Sequence, residues 1–136
     1  MPRDSVAAQF VQFAGVGAIG LAVDALIFVA LTGWCADWHP YAARALSATC
    51  SISTTWALNR RVTFAAQKSA DARGEYVRYV LVQLFGLALN LGVFAAGVAV
   101  VPALHRRPII ALLLGASAAL IVNFLTAKNI AFRRGT

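Results

Sequence analysis

The stretch from Phe10 to Leu31 contains about twenty apolar residues and a single charged side chain, Asp24. An α-helix of about twenty residues crosses the hydrocarbon core of a bilayer. The whole chain is 60% hydrophobic and only 12% charged, and its mean hydropathy is +0.73. Soluble domains are about a quarter charged, so this composition excludes an ordinary soluble domain. We therefore predict an integral membrane protein whose first span is this stretch.

Asp24 shares a predicted helix face with small residues. Phe13, Gly17, Gly20 and Asp24 follow one another at steps of three and four, which places them on one side of a helix. A carboxylate within a span costs about 3 kcal/mol on insertion scales and usually faces a bundle interior or a polar cavity. We expect this face to contact protein, while leucine, isoleucine and valine cover much of the rest.

The sequence also resembles itself when one half is aligned with the other. The first self-alignment pairs Phe10 with Tyr76, Phe13 with Tyr79, Gly20 with Gly86, Asp24 with Asn90 and Phe28 with Phe94. The second self-alignment, which needs a slightly larger shift, pairs Trp56 with Phe124, Arg60 with Lys128 and Phe64 with Phe132. This pattern indicates two copies of a two-helix unit, with a small length change between the helices of the unit.

Four apolar segments predict an all-α membrane protein with four transmembrane helices, at about 10–31, 41–58, 77–101 and 109–126. We expect one transmembrane domain over residues 1–136, with repeats at about 9–65 and 75–134. Nine of the twelve lysines and arginines lie at the termini and in the middle loop, and three lie at the opposite span ends. Basic residues concentrate on the cytoplasmic side, so both termini are predicted to be cytoplasmic and the two repeats parallel. The same rule accounts for the net charge of +7 without a nucleic-acid partner.

The second predicted span is more polar than the first. Ser47, Ser51 and Thr54 lie on one helical face that extends inward from Arg44. The hydroxyls can bond to their own helix or a neighbour, or can contact a ligand. Arg44 can extend to the outer interface, or it can pair with Asp24 or an anionic substrate.

Other polar residues offer weaker signals. Arg60 and Arg61 follow the second span, where bases usually serve topology but can also collect a phosphate. Trp34 and Trp38 are typical of interface anchors, with substrate contact as the alternative. The cysteines, histidines and acids show no metal-ligand or catalytic spacing, so we expect no cofactor and no enzyme activity.

Several motifs together resemble the GtrA-like family over nearly the whole chain, from about residue 9 to 133. They are F-x-x-F-x-G-V-G-x-x-G-x-x-x-D at 10–24, N-R-R-V-T-F at 59–64, E-Y-V-R-Y at 75–79 and N-F-L-x-x-K-N-I-A-F at 123–132. The resemblance implies a small bacterial inner-membrane protein of cell-surface polysaccharide synthesis. Such proteins are proposed to move a polyprenyl-phosphate-linked sugar across the bilayer beside a polyprenyl-phosphate glycosyltransferase.

The resemblance also indicates which polar positions matter. Asp24, Asn59, Arg60, Asn90 and Asn123 match polar positions that recur in the family. The second repeat departs from the first, because Ala127 stands opposite Asn59 and Asn129 opposite Arg61. Equal function of the two halves is therefore not expected.

Residue chemistry and resemblance together predict a set of substrate-binding residues: Asp24, Arg44, Asn59, Arg60, Arg61, Asn90, Asn123 and Lys128. A lipid-linked sugar phosphate needs a polar seam for its headgroup and cations for its phosphate. Two alternatives remain, a non-transporting anchor for a glycosyltransferase and a small proton-coupled exporter. Since four helices form a thin wall around a headgroup, we also expect a homodimer.

The predicted orientation is tested by cysteine labelling in a cysteine-free background. A cysteine placed at Gln67 should react only from the cytoplasm, and one placed at Arg106 only from the periplasm. The reverse pattern would overturn the orientation.

Overall fold

The computed structural model describes residues 5–33 and 38–132, except for the side chains of His105 and Pro108. All regular structure in this part of the chain is helical. The chain divides into two compact units, Met1–Lys68 and Ser69–Thr136. Trp34 and Cys35 of the first predicted loop lie outside the described residues, as do the terminal bases Arg3, Arg133 and Arg134.

Unit 1 is a helical hairpin. Helix α1 (Val6–Gly33) packs against helix α2 (Pro40–Leu58), and a π-helical turn (Asn59–Thr63) continues α2. Asp24 contacts residues early in α2, whereas the Phe13 ring packs on Phe64 after the turn. The two helices are therefore antiparallel.

Unit 2 has a similar plan. Helix α3 (Ala72–Val100) packs against helix α5 (Pro108–Thr126), and a second π-helical turn (Ala127–Ala131) follows α5. The short helix α4 (Pro102–Arg106) connects them and contacts both. Prolines lie in the first turn of α4 and of α5, where a missing N–H costs no helical hydrogen bond.

Among residues 5–33 and 38–132, three helical segments are long and apolar enough to cross a membrane: Val6–Gly33, Ala72–Val100 and Ile109–Ala131. They correspond to the first, third and fourth predicted spans. Helix α2 is not among them, because Arg44 and six serine and threonine residues lower its apolar content. The fourth span and the orientation of the termini therefore stay predictions.

The sequence pattern missed several local features. Residues 59–63 and 127–131, which we expected to be loop and tail, form the two π-helical turns. The segment between the third and fourth predicted spans contains the short helix α4. The expectation that Gly17 lies on the buried face of α1 is wrong, because Gly17 is exposed and Val16 is buried in its place. From Phe13 a step of three leads to Val16 and a step of four leads to Gly17, so the spacing alone does not distinguish the two residues.

The two units bury corresponding positions. Helix α1 buries Gln9, Phe13, Val16, Gly20 and Asp24, and helix α3 buries Glu75, Tyr79, Val82 and Gly86, which the first self-alignment pairs with the first four. The aromatic contacts correspond as well. The Phe13 and Phe64 ring centroids are 6.1 Å apart, and those of Tyr79 and Phe132 are 5.7 Å apart. Each ring pair joins the start of the long helix to the end of the π-helical turn.

Glycines allow close helix contact within each hairpin. A Cβ atom at Gly20 would overlap the Thr55 methyl group, and one at Gly86 would overlap the Asn123 amide. At Gly115 a Cβ would lie 2.7 Å from the main-chain oxygen of Asn90. Small residues at such contacts let helix backbones approach closely in membranes.

Hydrogen bonds define the start of α3. The Asp71 carboxylate accepts from the main-chain N–H of Gly74 at 2.9 Å, which caps the helix. The buried Glu75 carboxylate accepts from the main-chain N–H of Ser69 at 2.6 Å. These contacts fix the point at which the chain enters the second hairpin.

The contact at Gly115 gives a stability prediction. Gly115→Ala should lower the stability of unit 2 by about 1–3 kcal/mol, because the new methyl group would push against the main chain of α3. Gly92→Ala is the control, since a Cβ there meets nothing within 4 Å, and it should be neutral or stabilising by up to about 1 kcal/mol. Unfolding in mixed micelles titrated with SDS measures both. Equal stability of the two variants would contradict the close contact.

Candidate functional site

The ion-pair cluster of unit 1 consists of Asp24, Arg44 and Ser47. Arg44 Nη1 donates to Asp24 Oδ2 at 2.5 Å, and Ser47 Oγ donates to Asp24 Oδ1 at 2.7 Å. The Asp24 side chain is 12% exposed, whereas that of Arg44 is 60% exposed. The structure thus forms the Asp24–Arg44 pair that the sequence left as one of two alternatives. Both carboxylate oxygens of Asp24 have a partner.

The remaining hydroxyls of α2 bond within unit 1. Ser51 Oγ donates to the main-chain oxygen of Gly20 at 2.7 Å, across the hairpin. Thr54 and Thr55 donate to carbonyls one turn earlier in α2. This is the first of the two alternatives for the hydroxyl stripe, in which the groups satisfy the protein itself. The oxygens of Ser51 and Thr54, which are half-buried, keep lone pairs that can accept further hydrogen bonds.

A second polar site lies at the far end of α2 and is called the cationic pocket. It has a volume of about 200 Å³, and its lining residues are Trp56, Ala57, Arg60, Arg61 and Lys68. The Arg60 guanidinium lies over the Trp56 ring, 5.8 Å from the ring centroid. Three of the five lining residues are cations and none is an acid, so the pocket suits an anion.

The π-helical turn holds the cationic pocket in place. Asn59 is buried, and its Oδ1 accepts from Thr63 Oγ1 at 2.8 Å. Phe64, which follows the turn, is buried against Phe13. Asn59 thus supports the backbone that carries Arg60 and Arg61. Single π-helical turns are rare and are often found at functional sites.

The ion-pair cluster and the cationic pocket occupy opposite ends of α2. Arg44 and Arg60 are sixteen residues apart, which corresponds to about 24 Å of helical rise. The hydrocarbon core of a bilayer is about 30 Å thick. Unit 1 therefore presents cations at two depths, with the hydroxyl face of α2 between them.

The predicted site residues of unit 2 are Asn90, Asn123 and Lys128. Asn123 Nδ2 donates to Gln83 Oε1 at 3.4 Å. The side-chain oxygens of Asn90 and Asn123 are buried, and neither has a hydrogen-bond partner among the described residues. The Lys128 ammonium lies 5.9 Å from the Phe124 ring centroid, as Arg60 lies over Trp56 in unit 1. A seam that combines residues of both units stays a prediction.

At the positions of the bonded polar side chains of unit 1, unit 2 has different, uncharged residues. The residues that correspond to Asp24, Arg44 and Ser47 are Asn90, Leu112 and Gly115. Those that correspond to Asn59 and Thr63 are Ala127 and Ala131, and both alanines are buried. Each bonded set in unit 1 is replaced as a whole, so the replacement leaves no unpaired charge. Asn129, which stands opposite Arg61, donates to the main-chain oxygen of Leu125 at 2.8 Å.

Sequence reasoning missed Trp56, Thr63 and Lys68 as parts of these sites. Two signals could have found some of them. Trp56 and Arg60 are four residues apart, as are Phe124 and Lys128, which is the spacing of neighbours on a helix. Thr63 likewise follows Asn59 by four. Lys68 has no such signal, because the non-helical chain after Phe64 brings it to the pocket.

Three bilayer-length apolar helices define a multi-pass helical membrane protein. The model of the GtrA/DPMS transmembrane domain matches residues 12–134, and the chain belongs to this family. The GtrA-like resemblance is thereby confirmed, and it connects the chain to polyprenyl-phosphate sugar processes at membranes. Proteins of this family are generally non-catalytic. A search of curated proteins gives no match to the chain.

The ion-pair cluster predicts asymmetric effects of substitution. Arg44→Leu should destabilise unit 1 by about 2 kcal/mol or more, because it leaves the buried Asp24 charge unpaired. Asp24→Asn should cost less than about 1 kcal/mol, since the amide oxygen can still accept from Ser47 and Arg44 remains exposed.

The double variant Asp24→Asn with Arg44→Leu installs the two residues that unit 2 carries at these positions. It should recover most of the stability lost in Arg44→Leu, with a coupling energy of about 1–3 kcal/mol. Unfolding of the four proteins in micelles measures the cycle. If the double variant is no more stable than Arg44→Leu, the pairing does not stabilise the hairpin.

Proposed function

We propose that this protein moves a polyprenyl-phosphate-linked sugar across the bacterial inner membrane for cell-surface polysaccharide synthesis. The observation that carries the proposal is the placement of cations at the two ends of α2. The cationic pocket lies at one end, and the Arg44 side chain, 60% exposed, lies at the other. In the predicted topology these ends face the cytoplasm and the periplasm.

The chemistry of the cationic pocket supports binding of the lipid phosphate on the side where the lipid-linked sugar is made. Arginine presents a planar fork of donors that matches phosphate oxygens in pairs. The Trp56 ring lies 5.8 Å from the Arg60 guanidinium, within the range of a cation–π contact. Lys68 adds a third positive charge. A phosphate placed here would meet three positive charges.

Accessible hydroxyls of α2 between the two ends support passage of the sugar. Thr49 is exposed and Ser53 is half-buried, and each donates its hydroxyl proton to a main-chain oxygen one turn earlier in α2. Their oxygens can still accept from sugar hydroxyls as the headgroup moves. The lipid tail needs no enclosed path, because large apolar side chains of α1 such as Leu21 and Leu26 are exposed toward the surroundings.

An anchor for a glycosyltransferase is the alternative, and one observation favours it. Each serine and threonine hydroxyl of α2 donates within unit 1, so the helix has no unmet need for a ligand. The exporter alternative is weaker, because the Asp24 carboxylate is paired with Arg44 rather than open to a cationic drug. In either of the first two functions we propose a polyprenyl-phosphate glycosyltransferase as partner and a homodimer as the working assembly.

Transport is tested with the purified chain in proteoliposomes, without any glycosyltransferase. The lipid-linked sugar starts in one leaflet, and its appearance in the other is followed by a sugar-specific enzyme that cannot cross the membrane. The chain should accelerate this movement over empty vesicles. Movement only in the presence of the glycosyltransferase would favour the anchor.

The paired change Arg60→Lys with Arg61→Lys tests the cationic pocket in the same assay. It keeps the charge that sets orientation but removes the planar donor forks, so transport should fall about tenfold while expression and topology are unchanged. Arg73→Lys is the matched control, because Arg73 is exposed at the start of α3 and does not line the pocket. Unchanged transport in the paired variant would leave these arginines with a topological role alone.

A further inference from the structure

A groove in unit 2 combines an apolar wall with a single cation and is called the Arg78 groove. It has a volume of about 380 Å³ and runs along α3 beside the end of α5 and the second π-helical turn. Its lining residues are Arg78, Leu81, Val82, Phe85, Thr126 and Ile130. This volume lies at the low end of the range for ligand pockets, so the groove can hold only part of a lipid.

The protein makes little use of the Arg78 guanidinium. Arg78 Nη2 donates to the main-chain oxygen of Ala131 at 3.4 Å, which is a long hydrogen bond. Arg78 Nε is buried and has no hydrogen-bond partner among the described residues. A buried donor without an acceptor is costly. A small turn of the side chain toward an anion at the groove would therefore be favourable.

We propose that the Arg78 groove binds a polyprenyl-phosphate lipid, with the phosphate on Arg78 and the first isoprene units along Leu81, Val82 and Phe85. The choice of lipid rests on the proposed function, whereas the position of the site rests on the groove itself. Each hairpin then has a phosphate site of its own, the Arg78 groove in unit 2 and the cationic pocket in unit 1.

The chemistry of the groove favours a prenyl phosphate over a diacyl phospholipid. In a polyprenyl phosphate the hydrocarbon begins directly at the phosphate oxygen. In a phospholipid, glycerol and two ester groups separate the phosphate from the tails. The wall of the groove is apolar immediately beside Arg78, and the Thr126 hydroxyl already donates to the main-chain oxygen of Val122 at 2.6 Å. Ester carbonyls placed there would have no donor from the wall other than Arg78.

Comparison with unit 1 supplies a natural substitution. In the first self-alignment, Gln12 occupies the position of Arg78, and Val16 that of Val82. Unit 1 therefore builds a similar helix face with an amide in place of the cation. Arg78→Gln gives unit 2 the unit 1 residue at this one position.

The experiment uses the full chain in nanodiscs of a zwitterionic phospholipid and a farnesyl phosphate probe that carries a photoreactive diazirine. Crosslinked residues are located by mass spectrometry. We expect labels on α3 near Leu81 and Phe85 and near Ile130. Arg78→Gln should reduce labelling there about tenfold or more, and Arg73→Gln, which removes an exposed charge from the same helix, should not.

A second pair of variants tests the tail path without touching the cation. Leu81→Trp should fill the groove and reduce labelling, whereas Leu84→Trp should not, because Leu84 is outside the lining. Both leucines are exposed, at 60% and 52%, so both variants should fold. Labelling that survives both Arg78→Gln and Leu81→Trp would overturn the proposal.

Competition identifies the ligand. Excess unlabelled farnesyl phosphate should displace the probe, and farnesol, which lacks the phosphate, should not. Displacement by phosphatidylglycerol at equal strength would overturn the prenyl assignment in favour of a phospholipid site. Because labelling needs no sugar and no flux, it separates the two proposals. If the groove is labelled but the protein does not transport, the site stands and the transport function is rejected. If the protein transports but the groove is not labelled, the transport function stands and the site is rejected.

Discussion

A polar group inside a membrane has no water to bond with, and unit 1 meets this constraint with protein partners. The Asp24 carboxylate does so by accepting from Arg44 and Ser47. Arg44 lies one turn inside α2, where its long side chain reaches Asp24 and still remains largely exposed. Each hydroxyl of α2 finds an acceptor within unit 1 by the same logic. The polar face of the hairpin is thus compatible with an apolar environment.

The same constraint explains why the residues that bond to one another in unit 1 are all replaced together in unit 2. A hairpin that kept the charge of Asp24 but had leucine in place of Arg44 would bury an unpaired carboxylate. Unit 2 has a neutral amide, a leucine and a glycine at the three positions, and the glycine admits the main chain of α3. Close packing replaces ionic bonding in this unit. The two hairpins therefore reach similar architecture through different interactions.

Much of this arrangement could be predicted from sequence, because it depends on periodicity and charge. The apolar runs predicted the three bilayer-length helices, and helical rise placed Arg44 within reach of Asp24. The two self-alignments matched Phe13 with Tyr79 and Phe64 with Phe132. Phe13 and Phe64 form the ring pair of unit 1, and Tyr79 and Phe132 form that of unit 2. Each of these features produces a regular pattern in the sequence.

The features that were missed produce no regular pattern in the sequence. A π-helical turn differs from an α-helical turn only in which carbonyl each N–H selects, and the sequence 59–63 carries no period for that choice. Lys68 reaches the cationic pocket through non-helical chain, whose path depends on tertiary contacts. Arg78 was counted only as a cytoplasmic charge, because the groove beside it exists only once α3 and α5 have packed.

The π-helical turns have a consequence for which length changes the chain tolerates. Such a turn holds one more residue than an α-helical turn, because each N–H bonds to a carbonyl five residues earlier. Removing one residue would change this bonding and the position of Phe64 relative to Phe13. The spacing from Trp56 to Phe64 equals that from Phe124 to Phe132. The length difference between the two halves falls instead between the long helices of each hairpin. The two π-helical turns thus differ by substitution, as at Ala127 and Ala131, while their length is the same.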